Sequence, residues 1–503
     1  MSRRKKIILG IGIDTLGSII AMAVGLIVLP CFFQYISKEE YGLWLAVNGL
    51  VALISIADIG TDQYLTTVIS DDKKFYSLEF CHHLLSVLIV KLFVVIIFTI
   101  IGTILYLFIS GLLIIETSSL DDAKNTFLIA IFYLIFTLFS GAVSTILYGR
   151  HHYALVNSLT SLSSIMASFG TIIYLALDYK IRSFPLALLS AALIQFTILS
   201  VFLIKYYPNV RFKFADFRFQ NKKEMIGYSA SFQIQRLVHI LRTQYIIIVI
   251  NNLIGPSAAT LYTVTNRLPQ MITVFTSKVA LPFFPTFSEY FANQKKEIAA
   301  NVFIKINRLL FRFSLFAAIV CLVVTRSFVS LWVDLGSFAG ISILFLMCFY
   351  IFITSAMGAF GIVIFSSKKF ENWSFISFFE IIIAVTLSYA LSFNFGLLGI
   401  IAGFVFASLI NQFYLFTIVL KQLEISYKNI ITNVFFYAIS ANIATFLFAI
   451  IIMLFIEISS WRDLVLVCLT FTLIHVLSYE GVLILNSKEI GFRAKLRSVV
   501  KIS

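Results

Sequence analysis

The chain has 503 residues, 60% of them hydrophobic and only 12% charged. A soluble domain carries roughly 25% charge, so this composition excludes a water-soluble globular protein and predicts a surface that mostly faces lipid. The net charge of +14 does not point to nucleic acid, because the basic residues lie scattered in short segments between apolar runs, where cations set membrane orientation.

A helix needs about 20 apolar residues to cross the hydrocarbon core, and runs of that kind predict an all-α integral membrane protein of about 14 transmembrane helices. The first run, 8–33, follows Arg3-Arg4-Lys5-Lys6 and is too long for a cleaved signal core. Runs 43–63, 84–109, 126–148, 155–177 and 184–204 complete a first set of six. The second of these is the weakest, since it carries Asn48, Asp58 and Asp62. A second set follows over 229–253, 259–284, 309–330, 340–365, 373–393 and 397–420, and then 432–456 and 464–486. The expected organisation is two six-helix lobes, 1–215 and 216–425, with residues 426–503 supplying two further helices and a tail. Each lobe starts on the same side, so the two would be related by a pseudo-two-fold axis along the membrane normal. The basic turns Tyr148-Gly-Arg-His-His-Tyr153 and Phe365-Ser-Ser-Lys-Lys-Phe370 fall at the same place in each half.

With the N-terminus inside, the inner segments hold 27 Lys and Arg and the outer segments 6. An error of one span would erase that asymmetry, so both termini are expected in the cytoplasm. The outer loops are short, which leaves no room for the large external loop of a glycan polymerase. Cys31, Cys81, Cys321, Cys348 and Cys468 form no CxxC pair and read as small hydrophobes. No P-loop, HExxH or Gly-x-Ser-x-Gly motif is present. No metal or cofactor is expected, and any transport must draw on an ion gradient, the membrane potential or the substrate's own gradient.

Ionisable residues inside spans cost about 2.5–3.5 kcal/mol each at a helix centre on insertion scales, so they are the candidate functional residues. Span 7 carries Gln233, Arg236, His239 and Arg242 over a broad polar face. Arg242 would sit roughly 20 Å from the cytoplasmic end, near the midplane. Span 8 carries Asn266, Gln270, Thr273 and Ser277 in one helical stripe, flanked by Arg267 and Lys278, with Pro269, Pro282 and Pro285 expected to bend it. Together these predict a cationic cavity suited to a lipid diphosphate, which arginine grips bidentately. Asp14, Asp58 and Glu380 are candidate coupling or gating carboxylates, and equally candidate ion-pair partners for the cations. Lys91 and Lys278 lie near enough to the inner face to snorkel. Glu380 and Glu480 lie within two turns of it. Phenylalanine, 53 against 22 Tyr and 4 Trp, dominates the aromatic content and reads as lipid-facing filler.

The stretch Glu39-Glu40-Tyr41-Gly42-Leu43-Trp44, with Ile56-Ala57-Asp58-Ile59-Gly60, resembles the signature of the polysaccharide transporter family, within the multidrug/oligosaccharidyl-lipid/polysaccharide exporter superfamily. Leu253-Ile-Gly255 with Tyr262 and Asn266-Arg267-Leu268, Pro285-Thr-Phe-Ser288, and Leu331-Trp332 agree with it. The resemblance covers about residues 10–420. It implies a flippase that carries an oligosaccharide on undecaprenyl diphosphate outward by alternating access. Its expected partners are that lipid-linked glycan and membrane lipids, with a polysaccharide polymerase and chain-length regulator as candidate protein partners, and no nucleic acid. Many relatives carry an acidic residue near Gln244, where this chain has none. A multidrug cation antiporter of the same superfamily, a membrane glycan polymerase and a non-transporting scaffold are the competing expectations.

Overall fold

The structure, a computed structural model, describes residues 3–58, 60–62, 65, 69, 78–114, 119–207, 237, 240, 241, 243–367 and 371–485. The helices that follow are α1 Arg3–Phe32, α2 Lys38–Ile54, α3 Leu78–Leu112, α4 Leu120–Gly149, α5 Tyr153–Ala176 and α6 Ser183–Tyr206. After them come α7 Thr243–Leu253, α8 Pro256–Thr265, α9 Arg267–Ala280, α10 Phe284–Ala292, α11 Lys296–Trp332, α12 Ile341–Ala356 and α13 Gly358–Ser366. The arms of the long stretch Glu371–Leu423 are α14 (371–395) and α15 (397–423); α16 Phe436–Phe455 and α17 Trp461–Leu485 close the chain.

Eleven helical stretches among the described residues are long and apolar enough to cross a membrane. One of them, 375–423, is two spans. At Gly396 the backbone takes φ 53° and ψ −132°, a conformation open to glycine, and the chain turns back on itself. A Cβ at Gly403 would overlap the Ser388 amide, and one at Gly399 the Leu391 carbonyl. These small residues let the arms touch backbone to backbone, and Ser388 Oγ donates to the Ile400 carbonyl at 2.8 Å. Spans 7 and 8 appear as α7 and as the broken pair α8/α9, interrupted at Asn266. The chain is thus an all-helical, multi-pass membrane protein.

Several boundaries differ from the expected ones. α2 starts at Lys38 rather than 43, because Ser37 and Glu40 close a capping box: Ser37 Oγ accepts the Glu40 N–H (3.1 Å) and Glu40 Oε2 accepts the Ser37 N–H (2.8 Å). Helix α11 starts at Lys296, well before 309, since its first turns are amphipathic rather than wholly apolar. Span 10 is interrupted between α12 and α13 at Met357.

The chain forms two compact units, Met1–Thr260 and Leu261–Ser503. In the first, Leu43, Val47, Leu50 and Ile54 of α2 pack on Phe98 of α3 and Phe127 of α4. In the second, Phe303, Leu310 and Phe311 of α11 meet Phe287, Phe360 and Val419. The last two helices dock on this unit through Val323 and Val324 of α11 against Ala449, Ile452 and Phe471. Outward-facing phenylalanines such as Phe132, Phe413 and Phe455 are exposed, as a lipid-facing surface requires.

Candidate functional site

Gln233, Arg236, His239 and Arg242 lie outside the described residues. The span 8 residues expected to line the polar cavity lie on α9 and at the break before it. Pro269, Ile272, Thr276 and Ala280 are the buried face of that helix, and Ile272 packs among Ala318, Cys321, Leu344 and Cys348 of α11 and α12. The polar stripe lies on the other side: Gln270 and Thr273 are exposed, and Asn266 and Ser277 half-buried. The 3.6-residue period of the stripe therefore becomes a real face, turned away from the packing of its own unit. Asn266 stands at the break before α9, and its carbonyl accepts the Gln270 N–H at 2.9 Å. Arg267, half-buried, opens the helix. Amides and hydroxyls on one face, with a guanidinium flanking it, can bind sugar hydroxyls and phosphate oxygens.

Each of the three carboxylates has its own surroundings. Asp14 sits half-buried on α1. Asp58 is buried beyond the 3-10 turn Ser55–Ala57 and accepts the Gly60 N–H at 3.2 Å, where Gly60 takes φ 73°. Glu380, 4% exposed, is held inside the α14–α15 hairpin. Asn411 Nδ2 donates to Glu380 Oε2 (2.5 Å) and to Ser377 Oγ (3.1 Å), and Trp373 Nε1 donates to Asn411 Oδ1 (3.1 Å).

Lys91 corrects the snorkelling expectation. Its side chain is 1% exposed and its ammonium lies 2.9 Å from Asp62 Oδ1. It also donates to the Leu138 carbonyl of α4 at 2.8 Å. A buried ammonium must be paired and hydrogen-bonded, and Asp62, which sequence reading noted only as weakening span 2, is the partner. Its proximity arises in folding, between the segment beyond α2 and helices α3 and α4, and no local pattern announces it.

The signature residues prove to be a joint. Tyr41 and Trp44 hold Phe184 at the start of α6, with ring centroids 5.8 and 5.1 Å away. A Cβ at Gly42 would overlap the Pro256 carbonyl, so only glycine admits this contact. Thr260 Oγ1 donates to the Lys38 carbonyl at 2.6 Å, and Ser257 Oγ to Glu39 Oε1 at 3.3 Å. The motif thus ties the start of α2 to α8, and the Leu253-Ile-Gly255 turn delivers α8 to it through a Gly255 φ of 126°.

No curated protein matches the chain in sequence. Among solved structures, a lipid II flippase MurJ in an inward-closed conformation is similar over 93% of this chain and 98% of its own, with a TM-score of 0.70 and 13% identity. An inward-facing multidrug resistance MATE family transporter of the MOP superfamily is similar over 80% of this chain and 94% of its own (TM-score 0.60, 14% identity). An outward-facing one covers 84% and 96% (TM-score 0.60, 15% identity). The fold is therefore one shared with membrane transporters and flippases. The family model described as polysaccharide biosynthesis protein matches residues 7–291, and the chain belongs to that family.

Proposed function

We propose that this protein is a flippase that moves an undecaprenyl-diphosphate-linked oligosaccharide, an O-antigen or similar surface-polysaccharide repeat unit, from the cytoplasmic to the periplasmic leaflet of the inner membrane by alternating access. The observation that carries this reading is the polar stripe of α9, on which Gln270 and Thr273 are exposed and which Arg267 flanks, in a polysaccharide-biosynthesis family member. The remaining cationic contribution comes from Arg236 and Arg242, with Gln233 and His239 beside them. The two lobes 1–215 and 216–425 would rock about that site. Both termini are placed in the cytoplasm in this reading, which the 27-to-6 distribution of basic residues supports. Outward movement of each negative charge from a negative-inside cell gains about 2.3 kcal/mol per 100 mV, so the potential favours export. A polymerase and a chain-length regulator would act on the delivered glycan.

The MATE transporters of similar fold support a second reading, multidrug export. Organic cations would meet a basic cavity, which disfavours it. The test is a deletion strain complemented by the wild type or by Arg236→Ala with Arg242→Ala. The double variant is expected to insert normally, display no surface glycan and strand lipid-linked repeats on the inner leaflet. Normal display sinks the proposal. Unchanged glycan with altered drug susceptibility in the deletion strain establishes the second reading.

A further inference from the structure

The second unit carries an open apolar groove of about 410 Å³ between α11, α12 and α16. Leu315, Ile319 and Leu322 form its floor, with Phe349, Ile443 and Phe446 as walls. It is open outward: Ile443 is 53% and Phe446 56% exposed.

The α11 face that floors the groove continues into a row of cations. Lys305, Arg308, Arg312, Leu315, Ile319 and Leu322 fall within roughly 100° of arc at 3.6 residues per turn. One helix face therefore reads basic, basic, basic, then apolar, apolar, apolar. The two arginines are held in place by neighbouring segments. Arg308 Nε donates to the Asn433 carbonyl at 2.9 Å, and its guanidinium lies 4.8 Å over the Tyr437 ring. Arg312 Nε donates to His475 Nε2 at 3.1 Å, so that imidazole nitrogen is an acceptor. Asn442 Nδ2 donates to the Arg312 carbonyl at 3.1 Å. Cations fixed by three helices at the mouth of an apolar trough are preorganised for an anionic head joined to a hydrocarbon tail.

The dimensions choose among such molecules. From Ile439 to Leu447 the groove follows α16 for about 12 Å. Half of a hydrocarbon core of about 30 Å is about 15 Å, so the trough matches one acyl chain within one leaflet and is far too short for a long polyprenyl chain. We infer that Arg308, Arg312 and this groove form a binding site for an anionic glycerophospholipid of the leaflet in which the arginines lie. The site belongs to the second unit alone and does not depend on what the protein transports.

The test is native mass spectrometry of the full-length protein in a neutral detergent, titrated with phosphatidylglycerol, phosphatidylcholine of the same chains, or undecaprenyl diphosphate. Phosphatidylglycerol should bind best. Arg308→Ala with Arg312→Ala should weaken it about 30-fold, equivalent to about 2 kcal/mol, and Arg308→Lys with Arg312→Lys should retain most of it. Ile443→Trp, which obstructs the trough and keeps both arginines, should also lose phosphatidylglycerol; this variant and the comparison of lipids decide the matter if the alanine pair does not fold. Equal binding of the two phospholipids, tighter binding of undecaprenyl diphosphate, or an unaltered affinity in the Trp variant overturns the inference.

Discussion

The two units each hold a polar contact centred on a carboxylate, and they do so differently. In the first, Asp62 faces the buried ammonium of Lys91, and the contact joins the segment beyond α2 to α3 and α4. In the second, Glu380 takes a hydrogen bond from the uncharged Asn411 amide, and the contact joins the arms of one hairpin. The first is a tertiary clasp between charges, in which deleting Asp62 strands the buried Lys91 ammonium in a low-dielectric interior. The second is local, closed by a turn and backed by direct backbone contact at Gly399 and Gly403. Buried polarity thus serves long-range assembly in one unit and short-range closure in the other.

That contrast can be broken at several points. Asp62→Ala should destabilise the protein most, by about 3 kcal/mol, because it strands the buried Lys91 ammonium, read as loss of thermal stability in detergent. Asp62→Asn combined with Lys91→Met should recover much of the loss, and an equally unstable double variant would show that the charge pair is not what matters. Gly403→Val should cost about 2 kcal/mol through overpacking against Ser388, visible as increased proteolysis within 375–423. Asn411→Ala should cost about 2 kcal/mol, since it takes a donor from the buried Glu380 carboxyl; a loss larger than that of Asp62→Ala would erase the distinction between the units. The smallest effect belongs to Glu424, whose carboxyl is held below its ordinary 4.5 by the hydrogen bond and charge of Lys296. A depressed folded-state value means its contribution is present above 4.5 and disappears as pH falls through the lower, folded value. Both partners are exposed, so Lys296→Ala should flatten only a slight acid-side slope in stability.

Much of the architecture is legible in composition and period. Long apolar runs mark the spans, and the polar stripe of α9 follows from its spacing alone. Boundaries are harder wherever a helix leaves the hydrocarbon: Glu39 and Glu40 look like loop residues until Ser37 is seen to cap them, and the amphipathic start of α11 hides 296–308 from a hydropathy reading. Pairings are harder still. Nothing near Lys91 in the chain predicts Asp62, and the value of Tyr41, Gly42 and Trp44 lies in Phe184 and Pro256, far away in sequence. The resemblance marks those residues as important without saying that their work is structural.

Helix α11 has 37 residues and so extends for roughly 55 Å, against a hydrocarbon core of about 30 Å. Nearly half of it must project past the acyl chains. That overhang is braced by Phe303 and Ile306 against Phe287 and Phe360, so it moves as a stiff lever with the rest of its unit. Over an overhang of about 25 Å, a tilt of about 10° displaces Lys296 by about 4 Å. Under the alternating access proposed above, a fluorophore placed at that tip should report the tilt of α11 from outside the bilayer.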